Sequence, residues 1–334
     1  MRILFTGASS FSGFGFVQAL AAGGHELVCP LRGSPEGYTG VRRQRVEQLK
    51  NPARLMPQTA FGTEPFLRLL REAGPWDLLC HHAAEVGNYK SAEFNPFLAL
   101  ENNTHNLRSV LETFRLHAGH TVVLTGTIFE PDEGVGEEPL RAFSPYGLSK
   151  GLTWQVFRFY CGQAPLPLRK FVMPNPFGPW EEPRFTAFLM RTWKEGGTVQ
   201  VKTPDYIRDN IHLDLLSTVY ARFATSGMSS PGSPASQSIS ASLARINPSG
   251  YAETNRDFTL RVAREVRART GWKCEVELLK QQDFSEPLRR TNLEPAAPLA
   301  PEWKEKASWD AFVEFYAQGA ATAPQMRSGS DPRR

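Results

Sequence analysis

"ILFTGASSFSGFGFVQAL", residues 3–20, decides the architecture of this chain. An apolar run ends at Thr6, a glycine-bearing turn follows, and small and apolar residues then continue as a helix. Gly7 can make the tight turn, and Gly13 allows the helix to pack closely against the strand. The stretch therefore predicts a buried strand, a sharp turn and a helix in direct succession.

The same alternation continues to about residue 130. Apolar segments such as "HELVCPL", "WDLLCHHAA" and "HTVVLTG" are separated by helical stretches such as "NNTHNLRSVLETFRLHAG". Strands and helices in regular alternation predict a parallel sheet that is covered on both faces. We therefore expect an α/β protein, with a Rossmann-type doubly wound parallel sheet and a smaller C-terminal α/β lobe.

Two stretches of the C-terminal half stand out by their composition. The stretch from Ser226 to Ser240 is rich in Ser, Pro and Gly, which indicates a mobile loop. Residues 319–334 lack apolar periodicity, and we expect them to form a disordered tail.

Charge and cysteine usage exclude several function classes. The 38 basic and 34 acidic residues are scattered along the sequence, which argues against a nucleic-acid partner. The four cysteines form no C-x-x-C pair, so we expect neither a metal site nor a disulfide framework. We find no secretion signal and no apolar run of the roughly 18 to 20 residues that span a bilayer. These features predict a soluble cytoplasmic protein without a membrane partner.

The first turn is a candidate phosphate site. A Rossmann fold binds the cofactor pyrophosphate at the N-terminus of its first helix, which makes Gly7, Ser10, Phe11 and Gly13 candidate cofactor-binding residues. Ser10 stands where Gly-x-x-Gly-x-x-Gly spacing has its second glycine, and its hydroxyl could donate a hydrogen bond to a phosphate oxygen. The alternative is a strand-to-helix turn that binds nothing.

The end of the second strand bears on the choice between NAD and NADP. A fold that selects NAD typically offers an acidic residue there, whereas an arginine can pair with the 2′-phosphate of NADP. This sequence has Leu31 at the acidic position and Arg32 after it. NADP is therefore favoured, with a solvated surface arginine as the alternative.

"SPYGLSK", residues 144–150, is a candidate catalytic segment. Ser144 and Pro145 make a good helix start, and one interpretation is that the segment encodes only this start. The other notes that Tyr146 and Lys150 would share one helix face. An ammonium beside a phenol lowers the phenol pKa from about 10, so Tyr146 could exchange a proton with a hydroxyl or ketone. Thr127, at the end of "VVLTGT", could bind the same oxygen.

Eight segments occur in the order expected of one enzyme family. They are "TGASSFSG", "HHAA", "NNTHNL", "TGT", "YGLSK", "PNPFGP", "RDNIHLD" and "NPSGY". With them the sequence resembles an extended short-chain dehydrogenase/reductase of the NAD-dependent epimerase/dehydratase family, which acts on nucleotide sugars. The resemblance covers residues 1–315. It implies that residues 1–172 form mainly a dinucleotide-binding lobe and residues 173–318 mainly a substrate lobe, with the chain returning to the first lobe around 205–225.

The resemblance implies further site residues and a homodimer. Thr127, Tyr146 and Lys150 would be catalytic, and Tyr146 and Lys150 would also contact the cofactor. Asn175 and Arg208 would contact the substrate phosphates, and Thr127 would contact the sugar. The alternatives are that Asn175 is a plain turn residue and that Arg208 forms a surface ion pair with Asp209. The remaining implied cofactor contacts are Ala83, Ala84, Asn103 and Pro174.

One departure from the family pattern ranks the possible reactions. Ile128 and Phe129 follow Thr127, where 4,6-dehydratases place an Asp–Glu pair, so a dehydratase ranks low. We expect an NAD(P)-dependent epimerase/oxidoreductase that transfers hydride at a carbon of the nucleotide sugar, C4. The alternatives are an NADPH-dependent 4-keto nucleotide-sugar reductase and a non-catalytic cofactor sensor, which would need neither Tyr146 nor Lys150.

Overall fold

The computed structural model describes residues 1–89, 91, 93–227, 245–282, 284 and 286–319. Within them the larger sheet has seven strands, and every neighbouring pair is parallel. Across the sheet the strands are β11 (Arg245–Ile246), β7 (Leu168–Met173), β5 (Thr121–Thr127), β4 (Leu78–His81), β1 (Arg2–Thr6), β2 (Glu26–Pro30) and β3 (Arg54–Met56). The predicted parallel sheet is confirmed.

Helices cover both faces of this sheet, as predicted. On one face an apolar core joins the sheet to α1 (Phe11–Ala22), α2 (Gly40–Leu49) and α8 (Leu213–Thr225). On the other face a second core joins it to α3 (Glu64–Glu72), α5 (Leu107–Leu116) and α6 (Pro145–Gln163), and α4 (Pro96–Thr104) packs on α6. Burial on both faces explains why the central strands β1, β4 and β5 are mainly apolar.

A second, smaller sheet forms the other lobe. Its strands run in the order β13 (Tyr251–Thr254), β10 (Ile207–His212), β15 (Arg289–Thr291) and β6 (Val135–Gly136), and β8 (Asn175–Phe177) also pairs with β10. Two further strand pairs are β12 (Pro248–Ser249) with β16 (Glu294–Pro295), and β9 (Val199–Val201) with β14 (Val276–Leu278). A third core packs these elements with α7 (Phe185–Lys194), α9 (Asn255–Thr270) and α10 (Glu305–Ala317).

The chain passes between the lobes several times. β6 leaves the first half of the sequence to join the smaller sheet, α8 follows β10 back to pack on α1, and β11 adds an edge to the larger sheet. Of the predicted mobile loop, residues 228–240 lie outside the described residues. The predicted tail also lies outside them, apart from Gly319.

Candidate active site

The turn between β1 and α1 has the shape of a phosphate cradle. Gly7 has a φ of +80°, and a Cβ there would lie 2.7 Å from the backbone nitrogen of Ala83. A Cβ on Gly13 would lie 2.2 Å from the carbonyl oxygen of Gly7. Both contacts are too close for any side chain, so the two glycines bring the turn, the helix and the end of β4 together.

Ser10 caps α1 from inside this turn. Its Oγ donates to the carbonyl oxygen of Gly7 at 2.9 Å and accepts from the backbone nitrogen of Gly13 at 3.1 Å. The hydroxyl proton is therefore used within the turn, contrary to the expectation that it would be directed at a phosphate. The N–H groups of Phe11 and Ser12, in the first turn of α1, lack partners inside the helix, which makes this helix start a candidate site for a phosphate.

His82 joins the phosphate turn to two strands. Its Nε2 lies 3.1 Å from the Oγ atoms of both Ser10 and Ser12, and its Nδ1 lies 3.1 Å from Oγ1 of Thr125 on β5. Burial lowers the pKa of His82 to about 3, and Lys150 adds to the shift, so the ring is neutral at pH 7. The sequence analysis quoted this residue in "HHAA" without giving it a role; its signal is a histidine directly after a buried strand.

Two arginines of α2 hold the outer edge of the turn, and the sequence analysis missed both. Arg42, on the surface, donates from Nε and Nη2 to Oγ of Ser9 at 3.1 and 2.9 Å. Arg45 is fully buried and donates to the carbonyl oxygens of Ser9 at 3.1 Å and Trp180 at 2.7 Å, and it forms an ion pair with Glu182. Their signal is a pair of arginines three residues apart on a helix next to the glycine turn.

The end of β2 lies where the sequence analysis expected it. Leu31 is buried, and Arg32 is exposed with its Nη1 3.2 Å from Oε2 of Glu85. The backbone nitrogen of Glu85 donates to Oδ1 of Asn103 at 2.8 Å, and Nδ2 of Asn103 donates to Oγ1 of Thr153 on α6 at 3.2 Å. Asn103 thereby fixes the segment after β4 that contains the predicted cofactor contacts Ala83 and Ala84.

The predicted catalytic elements converge at the end of β5. α6 is capped by Ser144, whose Oγ accepts from the backbone nitrogen of Gly147 at 3.0 Å. Lys150 lies four residues after Tyr146 on this helix and is buried. Its Nζ donates to the carbonyl oxygen of Thr125 at 2.7 Å. Thr127 is the last residue of β5 and is buried. The predicted helix start is confirmed, and the structure adds that Lys150 lies against β5.

The ring of Tyr146 lies in an aromatic cluster. Its centroid is 5.7 Å from that of Tyr89, 6.0 Å from that of Phe94 and 6.2 Å from that of Phe129. Burial raises the pKa of Tyr146 above its usual range, and the negative charge of Glu130 raises it further. The phenol is therefore neutral at pH 7.

The expected depression of the Tyr146 pKa by Lys150 is wrong for the protein without ligands. Lys150 donates to the Thr125 carbonyl, and burial of the phenol, together with the negative charge of Glu130, raises the pKa of Tyr146. Burial also lowers the pKa of Lys150 to about 8, although Glu130 opposes that shift. The spacing of the pair was visible in the sequence, but its burial was not.

The predicted substrate residues Asn175 and Arg208 lie on the smaller sheet, and the predicted cofactor contact Pro174 lies just before it. Pro174 is buried between β7 and β8, and Asn175 is half-buried at the start of β8. The guanidinium of Arg208 on β10 donates to Oε2 of Glu286 at 2.8 Å and to the carbonyl oxygen of Pro287 at 3.0 Å. To contact a diphosphate, Arg208 would have to exchange Glu286 for the phosphate.

Asp209 has a structural place instead of pairing with Arg208. It is fully buried and accepts from the backbone nitrogens of Gly250 at 2.7 Å and Asn292 at 2.9 Å. The alternative of a surface ion pair between Arg208 and Asp209 is therefore wrong. Asp209 thereby joins β10 to the segments next to β13 and β15, its two neighbouring strands.

The sequence matches the family model described as "NAD dependent epimerase/dehydratase family" over residues 3–228. The chain belongs to this family. The match covers the phosphate turn, the end of β5 and the start of α6, and it confirms the resemblance inferred from the ordered motifs. A search of curated proteins finds no match.

Solved structures of family enzymes share the fold. UDP-glucose 4-epimerase from Thermotoga maritima, with UDP-glucose, is 17% identical, and the match covers 95% of this chain and 99% of that one with a TM-score of 0.69. UDP-glucose 4-epimerase from Thermus thermophilus, with NAD, is 21% identical with coverages of 96% and 100% and a TM-score of 0.69. dTDP-glucose 4,6-dehydratase from Streptomyces venezuelae is 19% identical with coverages of 95% and 97% and a TM-score of 0.71.

The segment after Thr127 separates this chain from the pattern expected of a family dehydratase. Ile128 is buried and apolar, and Phe129 packs against the rings of Tyr146 and Phe143. Neither can transfer a proton. Glu130, the first acid after Thr127, is buried in an ion pair with Lys170.

The described part of the chain offers no group of three His, Cys, Asp or Glu that could hold a metal ion. All four cysteines are buried and free. Among the described helices, none combines the length and the apolar character that crossing a membrane requires.

Proposed function

We propose that the protein is an NAD(P)-dependent nucleotide-sugar epimerase/oxidoreductase that acts at C4 of the sugar, with Tyr146 as the acid/base. One observation carries this proposal: Tyr146 and Lys150 on α6 lie beside the end of β5, and Lys150 contacts Thr125 there. Thr125 is also bonded to His82, which contacts the phosphate turn. Lys150 and the phosphate turn are therefore linked by hydrogen bonds, and this linked group forms the proposed catalytic unit together with Tyr146 and Thr127.

Each residue of this unit has a defined task. When bound, the nicotinamide accepts or supplies the hydride. Tyr146 transfers the proton at the sugar oxygen, and Thr127 donates a hydrogen bond to the same oxygen. Lys150 holds a positive charge near the phenol, and the aromatic cluster around Tyr146 excludes water from the proton transfer.

A 4-keto nucleotide-sugar reductase is the second candidate. Because Tyr146 is a neutral phenol, it is ready to donate a proton, as the reduction of a ketone requires. Arg32 and Arg42 also place positive charge near the adenosine end of the site, where the 2′-phosphate of NADPH would lie. Both observations favour a reductase that uses NADPH once in each turnover.

Incubation with a panel of UDP- and dTDP-sugars tests the proposal. An epimerase will convert a substrate to its C4 epimer, seen by chromatography, with no net change in the absorbance of reduced nicotinamide. A reductase will consume NADPH when a 4-keto sugar is supplied. If neither product forms with NAD⁺, NADP⁺, NADH or NADPH, the proposed function is wrong and the cofactor-sensing alternative gains support.

The cofactor is proposed to be NADP(H), held at its 2′-phosphate by Arg32 and Arg42. Arg32→Ala and Arg42→Ala should each weaken the binding of NADP(H) by about tenfold, because each removes a charge-assisted hydrogen bond. Binding of NAD(H) should change little. Isothermal titration calorimetry measures both affinities.

Arg43→Ala is the matched control for this prediction, because Arg43 is an exposed arginine of the same helix. It should leave the affinity for both cofactors nearly unchanged. Equal affinity of the unmodified protein for NAD(H) and NADP(H), or NAD that remains bound during purification, would show that neither arginine selects the cofactor.

We also propose that the protein is a homodimer, joined along α5 and α6. The outer surface of these helices forms a groove of about 940 Å³ in which Leu116 is 83% exposed and Phe159 is 61% exposed. Arg108 and Glu112 line the same groove, so a second copy related by a twofold axis could match both its apolar and its charged groups. Large exposed apolar patches commonly mark such interfaces.

Phe159→Glu should dissociate the dimer, because it places a carboxylate in the proposed apolar contact. Light scattering coupled to gel filtration measures the mass. Leu278→Glu is the control, because Leu278 is an exposed leucine of β14 in the other lobe. An unmodified protein that runs as a monomer at micromolar concentration contradicts the proposal.

A further inference from the structure

A buried cluster of charges lies behind the end of β5. Oε1 of Glu130 accepts from the backbone nitrogen of Thr127 at 2.8 Å, and Oε2 accepts from Nζ of Lys170 at 2.5 Å. Lys170 also donates to Oε1 of Glu133 at 2.7 Å. All three charged residues are at most 3% exposed. Charges buried to this depth are costly unless they are paired, so their position needs an explanation.

Gly126 makes room for this cluster. A Cβ at Gly126 would lie 2.6 Å from Cε of Lys170 and 2.7 Å from Oε1 of Glu130. Any side chain at this position would therefore push the carboxylate away from the strand. The glycine of the "TGT" segment is thus explained by the approach of Glu130 to β5.

The other lobe anchors the segment that carries Glu130. The carbonyl oxygen of Glu130 accepts from Nη2 of the buried Arg290 at 2.8 Å. Oε2 of Glu133 accepts from Nδ2 of Asn247 at 3.0 Å. The carboxylate therefore has a fixed position relative to both sheets.

The two ends of the "TGT" segment bind opposite charges. The carbonyl oxygen of Thr125 accepts from the ammonium of Lys150 at 2.7 Å, and the backbone nitrogen of Thr127 donates to the carboxylate of Glu130 at 2.8 Å. Thr127 is the proposed hydrogen-bond donor to the sugar oxygen. The carboxylate of Glu130 thus holds Thr127, and the ammonium of Lys150 holds Thr125, two residues earlier on the same strand.

We propose that Glu130 is a positioning residue for the catalytic set: its carboxylate fixes Thr127 through the backbone and keeps a negative charge behind the Tyr146–Lys150 pair. This inference rests on the proposed function for the roles of Thr127, Tyr146 and Lys150. It adds a buried carboxylate that touches neither substrate nor cofactor.

The groups around Glu130 determine whether its carboxyl group is ionised. The charged and titratable groups around it are Lys170 of β7, Glu133 of its own loop, Lys150 and Tyr146 of α6, and Arg290 of β15. Nη1 of Arg245, on β11, lies 3.5 Å from Oε1 of Glu133. Burial raises the pKa of Glu130, and Lys170 and Lys150 oppose that shift. Both of its oxygens accept from N–H donors, which favours the ionised form.

A carboxylate in this place raises the pKa of Lys150, against the larger lowering by burial. Removal of its charge should therefore lower the pKa of Lys150 further below about 8. A carboxylate that served only to pair with Lys170 would have no such effect on the pKa of Lys150. Glu133 provides the comparison, because it shares Lys170 but has no hydrogen bond to Thr127.

The experiment compares Glu130→Gln with Glu133→Gln in protein without ligands. Lysine labelled with ¹³C at Cε is titrated by NMR, and the Lys150 signal is assigned by its loss in Lys150→Met. The pKa of Lys150 should fall by about one unit in Glu130→Gln and by clearly less in Glu133→Gln. Equal shifts in the two variants, or no shift in Glu130→Gln, overturn the electrostatic part of the proposal.

Glu130→Asp tests the positioning part and remains informative if Glu130→Gln does not fold. It keeps the charge but shortens the side chain, so the contact with Thr127 is lost. We expect faster amide hydrogen exchange at Thr127 and a kcat about tenfold lower with little change in KM. Unchanged exchange and unchanged kcat overturn the positioning part.

The titration and the exchange measurement need no substrate. Absence of turnover in the unmodified protein would therefore contradict the proposed function, while the two substrate-free measurements would still decide the place of Glu130.

Discussion

Tyr146→Phe is expected to lower kcat by about 10²- to 10⁴-fold, because the phenol supplies the proton that the reaction transfers. The ring should keep its place among Tyr89, Phe94 and Phe129, since these contacts are made by its carbon atoms. Stability and cofactor affinity should therefore change little. Steady-state kinetics with the substrate found in the panel, together with calorimetry for the cofactor, measures both effects.

Tyr160→Phe is the matched control for this experiment. Tyr160 lies on the same helix, but it lines the groove of α5 and α6 at the outer surface. Its loss of a hydroxyl should leave kcat unchanged. A Tyr146→Phe variant with a near-normal rate would show that another group transfers the proton.

Arg45→Met should destabilise the protein by about 3 kcal/mol, because it removes the donor for two backbone carbonyls and breaks an ion pair. The side chain of Arg45 is fully buried, whereas that of Glu182 is 36% exposed, so most of the loss arises at the carbonyl oxygens of Ser9 and Trp180. Urea unfolding followed by tryptophan fluorescence measures the free energy of unfolding.

Arg42→Met is the control for stability, since it removes an exposed guanidinium from the same helix and should change the free energy by less than about 0.5 kcal/mol. Similar stability of the two variants would mean that the buried contacts of Arg45 contribute little. A loss confined to Arg45→Met would identify it as the tie between the phosphate turn and the segment at Trp180.

Most of the larger sheet could be predicted because local sequence patterns determine it. Strands β1, β2, β4 and β5 are mainly apolar runs separated by helices, and the first turn needs the two glycines found there. The short β3 and β11 have no such run and were not predicted. β6 could not be foreseen in the same way, because Val135–Gly136 has no strand-like run and pairs with Arg290 and Thr291 of a distant segment. Such pairings depend on the tertiary structure.

The candidate site was predictable as a set of residue types but not as an electrostatic environment. The spacing of Tyr146 and Lys150 follows from helix geometry, whereas their pKa shifts depend on burial and on Glu130, which the sequence analysis did not consider. Ser10 was compared with a glycine, and its bonds to Gly7 and Gly13 became visible only with the turn in place. Contacts between distant segments explain each of these differences.

The crossing of the chain between the lobes limits how such a protein can be divided. The smaller sheet takes strands from residues 135–136, 175–177, 207–212, 251–254 and 289–291, and β11 at 245–246 is an edge of the larger sheet. A cut after residue 172 would deprive each half of a strand that the other half supplies. The smaller lobe is therefore not a transferable module, and we expect changes of function in this architecture to arise by replacement of side chains and loops rather than by exchange of a lobe.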